Sequence, residues 1–408
     1  MATRGDGKPV SFIEDCAVPL EHLADYTDRL NQVFDRYGVQ GTWYAHASVG
    51  TLHVRPVLNM KDPQHAKKMR NIAEIACATV KEMKGAFSGE HGDGLVRSEF
   101  VEKFYGKKLT EAFKEIKESF DPDHMLNPGN IVDPPKMDDR SLFRFGPEYQ
   151  PVPVTEALDW SEFGGFLRAT EMCNNNGHCR KSEIGVMCPS YRATHDEQHL
   201  TRGRANTLRL ALSGQLGKDA LVSDNMKKTM DLCIGCKGCR RECPTGVDMS
   251  RLKLEFLTHY NSHHGNSLRD KLISHLPRYA PLASKFGRVL NGIEQIAFGR
   301  LIRQVVTGFS QYRTLPQWNN KPYFGLNVPR DRDAKSVYLI VDCFNRWFEP
   351  ENARAAESVL GKLGYEVIDI SLPDDARPLC CGRTFLSAGM VEIFPFLSTT
   401  CIETKISF

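Results

Sequence analysis

The 408-residue sequence predicts an α+β protein of several domains: a mixed α+β first part, a helical two-cluster cysteine module, and a partial α/β unit at the end. Three observations predict this. The hydrophobic period runs from strand and helix, to helix alone, and back to strand–helix–strand. Of thirteen cysteines, seven fall between Cys173 and Cys243, four between Cys343 and Cys401, and two before residue 80. Residues 133–155 hold five prolines and no long periodicity, which suits a linker. The domains expected are therefore 1–135, a linker at 136–160, the cysteine module at 161–264, a helical connector at 265–330 and a last unit at 331–408.

Residues 8–18 read as a strand running into Pro19, 20–37 as a helix and 51–58 as a second strand. Residues 61–84 read as a long amphipathic helix with Met69, Ile72, Ala76 and Val80 on one face. Residues 101–120 read as one further helix, stopped by Asp121-Pro122. From Lys335 the pattern is strand (SVYLIVDC), helix (PENARAAESVLGKLG), strand (YEVIDIS).

Composition narrows the function. A formal net charge of +3 gives no reason to expect a nucleic-acid binder. No run of about 18 apolar residues would span a membrane, and the N-terminus lacks the apolar region of a secretory signal. A reducing, cytoplasmic setting is expected, where cysteines serve as metal or redox ligands rather than disulfides. Peripheral contact with the inner membrane face also fits. Arg269, Lys271, Arg278, Lys285, Arg288, Arg300 and Arg303 interleave with Leu, Ile and Phe, as in a solvated basic face or a membrane- or partner-docking helix.

Cys233-x2-Cys236-x2-Cys239-x3-Cys243-Pro244 has the spacing of a bacterial ferredoxin run. Three thiolates two residues apart on a glycine-containing loop wrap one 4Fe-4S cubane, and the fourth points away toward a second. A zinc knuckle is the plainer alternative, but zinc sites favour two separated C-x2-C pairs. Cys173-x5-Cys179-x8-Cys188-Pro189 is a second half-site ending in the same Cys-Pro. Symmetry then has Cys188 cross to the cluster of Cys233, Cys236 and Cys239, and Cys243 cross back to Cys173 and Cys179. Two cubanes need eight ligands and these are seven. His178, Asn176 or another side chain completes the set, or the site holds three irons or none.

His46 and His53 are seven residues apart, so on one continuous strand they face opposite ways. They share a metal only if residues 48–50 turn, which Gly50 permits. With Glu90 they make a three-ligand set with open positions, the composition of a catalytic zinc or manganese centre. The plain alternative is a group of ordinary strand-end polar residues.

Tyr44-Ala-His46-Ala-Ser-Val-Gly-Thr-Leu-His53-Val-Arg55-Pro56, Ser88-Gly-Glu90-His91-Gly92-Asp93-Gly94 and Phe120-Asp-Pro-Asp-His-Met-Leu-Asn127-Pro128-Gly129 together resemble the C-terminal domain of FAD-linked oxidases. They are similar to the D-lactate and D-2-hydroxyglutarate dehydrogenases of that family. The resemblance covers residues 8–135 and continues through the cluster module to Cys380-Cys381-Gly382, as in fused members with a cysteine-rich CCG domain. It implies a ferredoxin-like substrate domain and FAD. It implies a divalent metal on His46, His53 and Glu90 that grips a D-2-hydroxyacid, with His91 as general base, Arg55 at the substrate and Asn127 near flavin. Cys343, Cys380 and Cys381 are similar to one repeat of the CCG domain and are candidate redox or cluster ligands; buried apolar cysteines are the alternative. The family's flavin-binding domain lies N-terminal to these motifs, and no glycine-rich phosphate loop after a strand occurs in this sequence. A separate or missing flavin domain is therefore an expected partner, along with the hydroxyacid and an acceptor such as a quinone or cytochrome. The leading expectation is part of an FAD-linked D-2-hydroxyacid dehydrogenase passing electrons from flavin through clusters. A non-catalytic electron-transfer subunit and an inactive truncated fragment are the competing ones.

Overall fold

The computed structural model describes residues 3–325, 335–369 and 381–393. They form two units: Met1–Pro153 with Trp160–Ala220 and Gly238–Val247, and Val154–Asp159 with Leu221–Lys237 and Asp248–Phe408. The cysteine run is divided between them, Cys233 and Cys236 falling in the second unit and Cys239 and Cys243 in the first.

The first unit opens with an antiparallel sheet of β1 (Lys8–Pro9), β2 (Cys16–Ala17), β3 (Gly41–His46) and β4 (Thr51–Leu58). β4 is central: β1 and β2 pair with opposite ends of one edge and β3 pairs with the other. A single bridge, Ala17 to Ala86, extends the sheet beyond β2. α1 (Leu23–Tyr37) and α2 (Pro63–Glu82) are the helices of this layer. Their buried side chains, Tyr26, Leu30 and Phe34 from α1 and Met69, Ile72, Ala76 and Val80 from α2, join Leu52, Val54 and Leu58 of β4 in one apolar core. Because side chains alternate along a strand, His53 and Arg55 of β4 face the other way. α2 starts at Asp62, whose carboxylate accepts the Gln64 N–H at 2.8 Å, with Pro63 supplying a pre-set φ.

Two expectations are corrected here. The strand expected over 8–18 is broken between β1 and β2. Phe12 and Ile13 turn into the core there, and Asp15 adopts a left-handed φ of 81°. The helix expected over 101–120 is α3 (Val101–Tyr105) and α4 (Lys107–Phe120), because Gly106 sits at φ 87°, which no helix continues through. The cysteine-rich stretch is helical, with α5 (Phe166–Glu171), α6 (Pro189–Thr194), α7 (Thr201–Leu212), α8 (Asp224–Asp231), α9 (Gly238–Glu242) and α10 (Met249–His264).

In the second unit α11 (Leu268–Ser274), α12 (Leu276–Lys285), α13 (Gly287–Gln295) and α14 (Ala297–Thr307) follow. Leu282, Phe286, Val289, Ile293, Phe298, Leu301, Ile302 and Val305 are all exposed along α12–α14, with Lys285 and Arg288 exposed among them. This face is thus more apolar than a plain solvated basic surface. Among the described residues no helix is long and apolar enough to cross a membrane. The closing strands β5 (Lys335–Leu339) and β6 (Tyr365–Asp369) pair in parallel, joined through α15 (Cys343–Trp347) and α16 (Pro350–Lys362). A short helix, α17 (Arg383–Ser387), is the last α-helix among the described residues.

Candidate functional site

Register builds the histidine site. β3 and β4 pair Tyr44 with His53, and Thr42 with Arg55. His46 lies two residues beyond Tyr44, so Tyr44, His46, His53 and Arg55 share the face away from the helices. The turn between the strands is a short helical turn, Ala47–Val49, closed by Gly50 at φ 70°. A Cβ at Gly50 would stand 2.0 Å from the Val18 carbonyl oxygen, so the turn that folds His46 back over His53 needs glycine there.

The loop at 88–91 brings Glu90 and His91 to this face. Three imidazoles converge on one Glu90 oxygen, Oε1: His53 Nε2 at 3.1 Å, His46 Nε2 at 3.3 Å and His91 Nε2 at 3.6 Å. The His53 ring is stacked between Tyr44 and His91, with centroids 4.6 and 5.0 Å away. His53 is buried, while His46, Glu90 and His91 are open to solvent. Donors bound at about 2.1 Å around one tetrahedral ion stand about 3.4 Å apart, and each imidazole keeps about that spacing from Glu90 Oε1, whereas the set whose ligand atoms are all mutually close takes in His91 and not His46. Asp15, His53, Glu90 and His91 all offer ligand atoms within 4.8 Å of one another. Asp15 joins that group by distance only. Its carboxylate already accepts from the Glu90 N–H at 3.0 Å, the His91 N–H at 2.8 Å and the Ser88 hydroxyl at 3.0 Å. Asp15 is the anchor of the loop. Burial pushes its pKa up, but those hydrogen bonds outweigh it and hold the carboxyl below its ordinary range.

Glu14 and Arg97 complete the support. Arg55 donates to both Glu14 oxygens, at 2.7 and 2.6 Å. Burial raises the Glu14 pKa, yet Arg55, Ser11 and His53 together lower it to about 2. Glu14 Oε1 lies 3.7 Å from His53 Nδ1, the ring nitrogen opposite the one that meets Glu90. A carboxylate behind a ligating histidine favours the tautomer that presents a lone pair to a metal. Arg97 donates to the Phe87 carbonyl at 3.2 Å, the Gly92 carbonyl at 2.6 Å and the Ser88 hydroxyl at 3.1 Å, and also to the Glu14 carbonyl. Glu14, Asp15 and Arg97 were not expected as site residues. Their only signal was chemical: two adjacent carboxylates in an otherwise apolar strand, and an arginine just past a glycine-rich loop.

The other expected residues are placed as follows. Arg55 stands on the site face but is engaged by Glu14. Asn127 is on an exposed turn after α4, at φ 47°, where Asp121 accepts the Met125 and Leu126 N–H groups. Cys343 is buried beside Leu276, Ala280 and Trp347, and Cys381 is exposed. Cys380 lies outside the described residues.

In the first unit Cys173, Cys179, Cys188 and Cys239 are buried, and Cys243 is half-buried. Cys188 Sγ is met at 3.1 Å by both the N–H and the hydroxyl of Thr201. Burial pushes the Cys179 thiol up to about 11, with the Arg202 backbone acting against that shift. The Asn206 amide stands 3.9 Å from Cys173 Sγ. Cys173 and Cys243 are close enough for their thiolate charges to interact. N–H donors at sulfur and nearby positive charge are what an anionic iron–sulfur cluster requires. Arg144 Nε and Nη2 and Arg209 Nε, whose charges act on Cys173, are buried without a hydrogen-bond partner. The donor set therefore fits a cluster. Asn176 spends its side chain on the loop, accepting the His178 N–H at 2.8 Å and donating to Asn174. In the second unit Cys236 is exposed, and Lys253 donates to the Cys233 carbonyl at 2.6 Å.

Comparison with known proteins agrees with both halves. Residues 1–131 match the C-terminal domain of FAD linked oxidases, and residues 169–247 match a 4Fe-4S dicluster domain. D-2-hydroxyglutarate dehydrogenase of Escherichia coli is 27% identical across 90% of this chain and 40% of its own length. The enzyme of the same name from Pseudomonas putida is 29% identical across 92% of this chain and 41% of its own. A D-lactate dehydrogenase of Archaeoglobus fulgidus is 31% identical, but across only 32% of this chain and 29% of its own. The chain spans about two-fifths of the length of the relatives that match it throughout. It unites an FAD-linked oxidase C-terminal domain with a 4Fe-4S dicluster domain, and along nine-tenths of its length it is homologous to the D-2-hydroxyglutarate dehydrogenases.

Proposed function

We propose that the chain is the metal, substrate and electron-transfer part of an FAD-linked D-2-hydroxyacid dehydrogenase. The observation that carries this is the meeting of His46, His53 and His91 on a single Glu90 oxygen. His46, His53 and Glu90 would hold a divalent metal, zinc or manganese. His91, the farthest of the three rings from that oxygen, would keep its lone pair for the substrate hydroxyl proton. A bound metal supplies Lewis acidity at the hydroxyl and carboxylate, flavin accepts the hydride, and iron–sulfur clusters carry the electrons on. The chain's own residues orient and exchange protons. Glu14 stands behind the His53 ring, Asp15 and Arg97 fix the loop that presents Glu90 and His91, and Tyr44 packs the wall. Asn127 is assigned to the flavin side. Arg55 is assigned to substrate contact, which requires that it share its guanidinium between Glu14 and the ligand.

The order β3–β4–β1/β2–Ala86 supports a ferredoxin-like reading of this domain. Among hydroxyacids, D-2-hydroxyglutarate is favoured over D-lactate. The relatives named for the former match throughout the chain, and those named for the latter match about a third of it. Cys233, Cys236, Cys239 with Cys188, and Cys173, Cys179 with Cys243, are proposed as the two ligand sets. Cys343, Cys380 and Cys381 are proposed as a further redox or cluster site.

The test is to supply the flavin-binding part of a full-length relative and follow flavin bleaching anaerobically. D-2-hydroxyglutarate should reduce the flavin, D-lactate more slowly, and the L-enantiomers not at all. Flavin that stays oxidised with every D-2-hydroxyacid, in a complex that holds both flavin and metal, would favour a purely electron-transferring role.

A further inference from the structure

Helix α7 has an unusual relation to the cysteines of the first half-site. Thr201 donates to Cys188 Sγ at 3.1 Å, and the Asn206 amide stands 3.9 Å from Cys173 Sγ while its N–H groups also meet Asn175 Oδ1 at 2.6 Å and the Arg202 carbonyl at 2.9 Å. Thr201 is at the helix N-terminus, where free N–H groups and the positive end of the dipole favour anions. Arg202, Asn206 and Arg209 lie at i, i+4 and i+7, on one face of the helix. Arg209 is buried and donates to the Arg144 carbonyl at 3.2 Å, which places a second arginine beside it. The nearby carboxylate Glu171 is already neutralised, with Lys61 at 2.7 Å and the Tyr149 hydroxyl on its other oxygen. Net positive charge therefore remains on the Cys173 side.

We propose that α7 sets the reduction potential of the cluster held by Cys173 and Cys179, through the Asn206 amide beside Cys173 and Arg209 with Arg144 behind it. This rests on the reading above that the half-site binds a cluster. On reduction the cluster takes one electron from a reduced flavin and becomes one charge more negative. Each N–H dipole near the sulfurs and each nearby cation stabilises that reduced form more than the oxidised form, so the potential rises. These are positioning residues: none is a ligand.

The test uses the whole chain, reconstituted anaerobically with iron and sulfide and titrated with dithionite, the reduced cluster being followed by electron paramagnetic resonance. At the wild-type midpoint, Asn206→Leu with Arg209→Gln should lower the ratio of reduced to oxidised cluster about tenfold, equivalent to about 59 mV for one electron. Iron per chain should not change. Arg209→Lys, which keeps the charge, should restore most of the ratio. Should Arg209→Gln impair folding, Asn206→Leu and Arg144→Gln each lower the ratio alone, by a smaller factor. An intact cluster whose ratio moves less than twofold in these variants overturns the proposal. Cys179→Ser separates the two levels: if it leaves iron content and spectrum untouched, the half-site holds no cluster and the underlying reading fails instead.

Discussion

At the sheet-borne histidine site the two buried carboxylates Glu14 and Asp15 already have partners from the chain, although His53 Nδ1 has no hydrogen bond. Glu14 is clamped by Arg55, and Asp15 by two N–H groups and the Ser88 hydroxyl, with Arg97 bonded around the loop. At the cysteine half-site the reverse holds. Arg144 and Arg209 keep buried N–H groups with no partner, and burial pulls their pKa values down. An uncompensated buried cation is costly, and an anion brought to it recovers that cost. The carboxylates of the first site are therefore held by the chain itself, whereas the second, on the function proposed above, depends on what it binds.

The comparison breaks most directly under removal of the bound groups. Stripping iron should destabilise the cysteine module by several kcal/mol, seen as loss of cooperative thermal unfolding, because ligand binding to the folded state is linked to folding. Removing the divalent metal should shift the transition by far less. Equal shifts for the two would erase the distinction.

Asp15→Ala should come next, costing about 3 kcal/mol in denaturant unfolding and abolishing divalent-metal binding, since it cuts a buried carboxylate out of its hydrogen bonds. Cys236→Ser, on an exposed loop, should instead cost one cluster's iron with little change in the stability of the histidine domain.

Glu14 adds a pH signature of similar or smaller size. Its carboxyl is depressed to about 2 from an unfolded value of about 4.3. The associated stability, on the order of 2–3 kcal/mol, is present above pH about 4.3 and is lost as the pH falls toward about 2. Glu14→Gln should flatten the stability profile across that window; an unaltered profile would show that the ion pair with Arg55 contributes nothing. Gly50→Ala should cost about 1–3 kcal/mol and weaken metal binding, because its Cβ would meet the Val18 carbonyl at a left-handed φ.

Much of this was legible in the sequence because it depends on period and spacing. The 51–58 strand, the long second helix and the strand–helix–strand ending follow from apolar alternation. The turn that reunites His46 with His53 follows from their odd interval and Gly50. Asp15 and Arg97 were not legible. Their roles arise from hydrogen bonds between segments about 75 to 83 residues apart, which no local pattern encodes. The breaks at Asp15 and Gly106 were missed for a related reason: one left-handed residue reverses the chain without disturbing the hydrophobic pattern around it.

The central claim is that the histidine site is a single divalent-metal centre in which His53 is a ligand and His91 is not. Metal content per chain, measured after loading with zinc or manganese and exhaustive dialysis, tests it in the wild type, His53→Ala and His91→Ala. The arrangement predicts one divalent ion in the wild type, none in His53→Ala and one in His91→Ala. Metal retained by His53→Ala and lost from His91→Ala would contradict it.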